Sequence, residues 1–293
     1  MAELNDGIAL AASNLHYHYD GQVCALQGID LTVRQGRRLI VLGANGAGKS
    51  TLFLHLNGTL KPERGEVQIN GRKADYSRSG LLSWRQQVAL VFQNPDDQLF
   101  APTIEQDVSF GPMNLALSET EVAERVNEAL CALGIEALRQ RPTHSLSFGQ
   151  KKRAAIAGAM AMRPAVLILD EPSAGLDPQG VEDLIIALDE LHLRGTTLVM
   201  ATHDLELACG WADEIAVLRA GRLLRQGATE AVLRDEETMN AAGLRVPLIL
   251  ELGARLQSIG LPHDLKLPRT REALLEWFDA ANVHSAVRKA ATR

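Results

Sequence analysis

No stretch of the 293-residue sequence limits the possible folds more than Gly43-Ala-Asn-Gly-Ala-Gly-Lys-Ser50. Its glycines, lysine and hydroxyl match the phosphate-loop pattern in full. The apolar run Arg38–Leu42 precedes it, as expected for a strand buried on both faces. The residues from Lys49 to about Leu56 read as a helix. A strand that feeds a glycine-rich turn and then a helix lets successive N–H groups converge on one anion, helped by the positive end of the helix. Here the N–H groups of Gly46, Ala47, Gly48, Lys49, Ser50 and Thr51 can face a β-phosphate, with Gly43 and Asn45 completing the loop. Lys49 can reach the β and γ oxygens, and the Ser50 hydroxyl can ligate Mg²⁺.

Two further stretches supply what such a loop lacks. In Ala165-Val-Leu-Ile-Leu-Asp-Glu-Pro172 a carboxylate ends an apolar strand. Asp170 can therefore face the nucleotide crevice and hold Mg²⁺ through water, while Glu171 can orient or deprotonate an attacking water. Leu146–Arg153, "LSFGQKKR", reads as a second anion grip at a helix N-terminus. One nucleotide cannot touch both grips within a chain if a helical insert carries the second away from the first. A two-fold dimer resolves this, because its interface is self-complementary and each grip can close over the other chain's cradle. The Ser147 hydroxyl and the Gly149 N–H would then meet the γ-phosphate.

The rest of the chain alternates strand and helix. Residues 8–33 read as strands around a turn at Asp20-Gly21, and Val67–Gly71, Val88–Phe92, Thr197–Ala201, Glu214–Leu218 and Arg222–Gln226 as further strands. Helical signals fill about 94–163. Thr103 with Gln106, and Ser118 with Glu121, have the spacing of reciprocal caps, and Val122, Val126, Leu130 and Leu133 mark a buried face. A helix is expected around Leu184–Leu193 and another after Thr202. The expected organisation is a nucleotide-binding domain over 8–237 and a small helical extension over 238–293, with pieces at Leu248–Leu256 and Arg271–Ala280. The architecture this predicts is α/β, a mostly parallel sheet interrupted by a helical insert.

Composition bears mainly on partners. A formal charge of −6 and only 4% aromatic residues speak against a nucleic-acid surface. The opening MAELNDGIAL has no basic region followed by an apolar core, and no apolar run reaches the roughly 20 residues of a membrane span. A membrane role would have to come through a partner. Cys24, Cys131 and Cys209 lie far apart and read as buried small hydrophobes in a reducing cytosol.

Together the motifs resemble the ATP-binding cassette ATPases, over about Ile8 to Ala228. The resemblance implies a P-loop NTPase fold with a RecA-like parallel core, an N-terminal antiparallel β subdomain and a helical subdomain, working on ATP and Mg²⁺. It also implies roles for matching residues. Gln93 resembles the glutamine that touches Mg²⁺ and the attacking water, and Asp177 in Ser173–Asp177 the acid of the loop that crosses to the opposite subunit. His203 resembles the switch histidine at the γ-phosphate, and Tyr19 the aromatic that stacks on adenine, with Tyr17 competing. Ser147, Phe148, Gly149 and Gln150 form the signature that acts in trans; Phe148 stands where the family more often has glycine. His16 and His18 share a strand face but have no third ligand for a metal. Val91–Thr103 with Phe110-Gly-Pro112, and Leu146–Gly158, resemble the ATPases of energy-coupling-factor importers, the cobalt-import type first, with nickel and vitamin versions hard to separate. Implied partners are a second ATPase copy, a membrane coupling protein and a substrate-binding membrane protein. The implied location is peripheral, on the cytoplasmic face of the membrane, with Asp96 and Asp97 as acceptors for arginines of the coupling protein. A soluble cassette protein would usually carry two fused cassettes or a long coiled coil.

Overall fold

The computed structural model of the protein describes residues 7–20, 23–258 and 268–276. The chain opens with two long antiparallel strands, β1 (Ile8–Tyr19) and β2 (Val23–Arg34). They lead to β3 (Arg38–Leu42), the phosphate loop and α1 (Lys49–Leu56). Next come β4 (Arg64–Ile69), β5 (Arg72–Lys73), α2 (Arg78–Gln87) and β6 (Val88–Val91). Three helices follow: α3 (Ile104–Met113), α4 (Glu119–Ala132) and α5 (Phe148–Ala161). The alternating part then resumes as β7 (Val166–Asp170), α6 (Pro178–Leu193), β8 (Thr197–Ala201), α7 (Leu205–Trp211), β9 (Glu214–Arg219) and β10 (Arg222–Ala228). Helices α8 (Thr229–Leu233), α9 (Glu236–Ala241) and α10 (Leu248–Ser258) complete the described elements, and a helical turn covers 271–276.

These strands build two sheets. One is four-stranded and antiparallel, in the order β2-β1-β4-β5. The other is six-stranded, in the order β10-β9-β3-β8-β7-β6, parallel throughout except for β10. The central strands are short and continuously apolar because helices or the second sheet cover both faces; β7 and β8 are buried along their whole length. One core lies between the parallel sheet and the antiparallel sheet, where Phe53 and Trp84 pack with Leu39, Val41 and Ile168. The other lies on the opposite face and runs into the helical subdomain, joining Ile40 and Leu169 to Val108, Leu130 and Ile156. Met239, Ala242, Ile249 and Leu250, from α9 to α10, belong to that second core.

Some boundaries differ from the sequence reading. Helix α6 begins at Pro178, six residues before the apolar face at Leu184 shows, because Asp177 caps its first turn by accepting from Gly180 N at 2.8 Å. Helix α2 is invisible to periodicity, having Trp84 as its one buried residue. Cys209 is buried, but Cys24 and Cys131 are exposed, which corrects the expectation of three buried thiols. Cys24 sits on β2 and Cys131 on an outward position of α4. Gly21, residues 277–280 of the second expected tail helix and the basic end Val287–Arg293 lie outside the described residues.

Candidate functional site

The phosphate loop joins β3, at the middle of the parallel sheet, to α1. Two of its glycines are required by their surroundings. A Cβ on Gly43 would lie 2.4 Å from the Leu218 carbonyl oxygen. A Cβ on Gly48, whose φ is +105°, would lie 2.7 Å from the Ala25 carbonyl oxygen. The loop is pinned by Ala47 N donating to Ala44 O at 3.1 Å and by Gly221 N donating to Ala47 O at 2.9 Å. Lys49 is buried, and its ammonium donates to Gly43 O at 2.8 Å and Ala44 O at 3.4 Å. Its side chain therefore folds back over the loop it belongs to.

At the ends of β7 and β8 lie the acids and the histidine. Asp170 is buried and takes a hydrogen bond from Ser50. Burial holds its carboxyl above the usual carboxylate range and repulsion from Glu171 adds to this, against the Ser50 bond and the charges of Lys49 and Lys152. Glu171 is only 6% exposed. It has φ +48°, a strained backbone for a side-chain-bearing residue, fixed by its N–H donating to Ala201 O at 3.1 Å. Its two oxygens point to different side chains: Oε1 lies 3.9 Å from Lys49 Nζ and Oε2 2.9 Å from His203 Nδ1. The His203 side chain is 77% exposed, so it reaches the buried carboxylate from the open side. Ser50, Asp170 and the amide of Gln93 are an all-oxygen donor set, which suits a hard cation such as Mg²⁺. A cation there also supplies the positive charge that the buried Asp170 calls for.

Gln93 follows β6 with its side chain exposed, but its carbonyl is anchored. Lys152 of α5, 0% exposed, donates from Nζ to Gln93 O at 2.6 Å, Phe92 O at 3.3 Å and Asp170 O at 3.5 Å. Gln98 reinforces the join, accepting from Phe92 N at 3.0 Å and donating to Ala155 O at 2.9 Å. Asp96 is engaged by Lys151 at 2.6 Å.

Ser147–Gln150 opens α5 with a capping box. Ser147 Oγ accepts from Gln150 N at 3.3 Å, and Gln150 Oε1 accepts from Ser147 N at 3.1 Å. The serine hydroxyl keeps its own proton for a further acceptor. Helix α5 packs on α3, α4 and β6. Among the described residues, no hydrogen bond or ion pair joins Ser147–Gln150 to Gly43–Thr51.

Residues 26–174 match the family model for ABC transporters. The chain is 55% identical, over 90% of its length and 95% of the relative's, to the cobalt import ATP-binding protein CbiO of Rhodobacter capsulatus. The chain belongs to the ABC transporter ATPase family. This cassette is also 48% identical, over 87% of its length and 82% of the relative's, to the energy-coupling factor transporter ATP-binding protein EcfA of Methanothermobacter thermautotrophicus. Among solved structures it resembles CbiO1 from Clostridium perfringens, part of the transporter complex CbiONQ, with a TM-score of 0.70 and 44% identity over 84% of this chain and 98% of that one. A dimeric cassette holding ADP and Pi after hydrolysis matches with a TM-score of 0.69 and 27% identity, over 75% of this chain and 98% of that one.

The cassette separates the two tyrosines of β1. Tyr17 packs edge-on against the buried His55, with ring centroids 4.8 Å apart. Tyr19 is exposed, and its hydroxyl lies 3.4 Å from Thr51 Oγ1 at the phosphate loop. His16 and His18 turn to different partners, Asn14 Oδ1 at 3.0 Å and Glu63 Oε2 at 2.8 Å. Asp177 caps α6 and Asn45 is exposed on the loop. Sequence reasoning missed Lys152, whose importance lies in three carbonyls that only the fold assembles. The resemblance implied that a groove after Gln93 receives helices of the coupling protein; downstream of Gln93 the structure shows an exposed apolar patch, where the Phe100 and Phe110 rings meet edge-on at 4.8 Å and Met113 is exposed too. The spacing of Phe110 and Met113 on one turn was the available signal.

Proposed function

We propose that this cassette is the ATP-hydrolysing subunit of an energy-coupling-factor importer that carries cobalt ions, acting as a homodimer on the cytoplasmic face of the membrane. The observation that carries the catalytic part is the Glu171 carboxylate, buried and held between Lys49 and His203. The cargo rests on the relative CbiO, which matches nearly end to end. Among the described residues no helix is long and apolar enough to cross a membrane, so transport needs membrane partners. The patch of Phe100, Phe110 and Met113, with Asp97 nearby, suits the helix of a coupling protein that is apolar on one side and basic on the other.

In this reading the loop Gly43–Thr51 holds the phosphates through its N–H groups, and Lys49 exchanges its carbonyl partners for phosphate oxygens. Tyr19 stacks on adenine. Ser50, Asp170 and Gln93 would hold a Mg²⁺ ion, which would supply charge neutralisation for the phosphate oxygens. Glu171 takes a proton from the attacking water. His203, through its bond to Glu171, orients that carboxylate and approaches the γ-phosphate. Ser147 and the Gly149 N–H of a second copy complete the site, with Gln150 holding the serine in place and Asp177 crossing at the interface. Loss of the γ-phosphate removes those bridging contacts, and the pair opens.

Metal uptake by cells that express the whole importer tests this. Cobalt uptake should require both the chain and its Glu171. Uptake that survives Glu171→Gln overturns the catalytic reading; Glu171-dependent uptake of nickel or a vitamin in place of cobalt overturns the cargo alone.

A further inference from the structure

The residue left unexplained by this reading is Phe148, a bulky group inside an anion grip. It is 45% exposed, so packing in a core does not account for it. Its ring lies against the loop that leads to Asp177 in its own chain. A Cβ on Gly175 would come within 2.5 Å of Phe148 Cδ1 and 2.7 Å of Cε1, and Gly175 has φ +78°, so side-chain bulk and backbone both demand glycine there. Gly149 faces the same loop: a Cβ on it would lie 3.2 Å from Gly175 O and 3.5 Å from Leu176 Cδ2. The loop is itself a ladder of turns rooted at the backbone of Glu171. Ala174 N donates to Glu171 O at 3.3 Å, Leu176 N to Ser173 O at 3.1 Å, and Asp177 then caps α6. The grip that holds one nucleotide is thus in contact with the loop that positions the base for the other.

We propose that Phe148 is a positioning residue that joins the Ser147–Gly149 grip to the Glu171–Asp177 loop of the same chain, so that the two nucleotide sites of the dimer act cooperatively. This rests on the proposed trans grip. A γ-phosphate in the first site draws in Ser147 and Gly149 of the second chain. Phe148 passes that displacement to Gly175, and the turn ladder carries it to Glu171, which serves the second site. A glycine at position 148 leaves the grip's hydroxyl and N–H in place but removes the contact.

The test is the ATP dependence of hydrolysis by the assembled importer carrying wild type, Phe148→Gly or Phe148→Leu. Wild type should give a Hill coefficient clearly above 1. Phe148→Gly should bring it to 1 and lower kcat about tenfold, short of the roughly hundredfold that a misplaced catalytic group can cause. Phe148→Leu, which keeps apolar bulk over Gly175, should restore cooperativity. Unchanged melting temperatures and unchanged ATP binding at the phosphate loop separate this from unfolding. A wild-type coefficient of 1, or a Phe148→Gly enzyme as cooperative as wild type, overturns the proposal. Ser147→Arg keeps the two readings apart. If it is inactive while Phe148→Gly stays cooperative, the trans grip stands and only the Phe148 link fails. If it turns over normally, the grip itself is wrong.

Discussion

Glu171 shows how much chemistry one residue draws from its surroundings. Its carboxylate is buried, its backbone is held in a left-handed conformation, and its two oxygens face the Lys49 ammonium and the His203 imidazole. Replacing it by Gln keeps the shape and removes the basicity, so turnover in single-turnover assays should fall at least about a hundredfold. ATP binding should persist and the dimer should accumulate. Lys152 makes a second prediction at this scale. Burial pushes its ammonium down to about 8 from 10.5, with Asp170 and Glu171 opposing the shift. Below pH 8 folded and unfolded chains both carry the charge, and the folded state bears the whole burial penalty, about 3 kcal/mol. Between pH 8 and 10.5 the unfolded chain binds more protons than the folded one, so stability rises with pH. Urea denaturation should show wild type gaining on Lys152→Met across that window; a difference that does not vary with pH contradicts the assignment. Asp170, Glu171 and Lys49 were legible in the sequence because their motifs are contiguous. Lys152 was not, because its carbonyl partners come from residues 92, 93 and 170.

Among the elements, α5 has the most tasks. It begins at the grip, carries Lys152 on its second turn, and packs on α3 and α4. Helix α5 thus touches the Gln93 backbone through Lys152 and carries Ser147 at its N-terminus. Helix α4 serves as a control far from that chemistry. Its capping box pairs Ser118 with Glu121, as their spacing announces. Ser118→Ala should lower stability by about 1 kcal/mol in chemical denaturation and leave ATP turnover unchanged. The predicted box at Thr103 is only half made: Thr103 Oγ1 accepts from Gln106 N at 3.3 Å, while Ile104 and Glu105 N–H groups bond to Arg141 and Arg139 carbonyls. Tertiary contacts there take over the work that local capping does in α4. Helix α2 stayed hidden for a related reason: one buried tryptophan gives no period to read.

At the scale of the molecule, the parallel sheet places the phosphate loop, Asp170–Glu171 and His203 after the carboxyl ends of β3, β7 and β8, while Ser147–Gln150 opens α5 in the helical subdomain and Tyr19 ends the antiparallel β1. The alternation of strand and helix that produces this was readable from apolar runs and glycines, whereas the order of the strands in the sheet was not. The meeting of the signature with the Asp177 loop was not, since it depends on how α5 lies beside the sheet. The central claim is that each ATP site takes its second half from another copy of the chain. Mixing two inactive variants tests it most directly. Lys49→Ala destroys the cradle but keeps the grip, and Ser147→Arg does the reverse. If the sites are shared, half of a random mixture is heterodimer with one intact site, and ATPase activity should reappear at up to about a quarter of the wild-type rate. Activity no higher than the sum of the two variants alone would contradict the account.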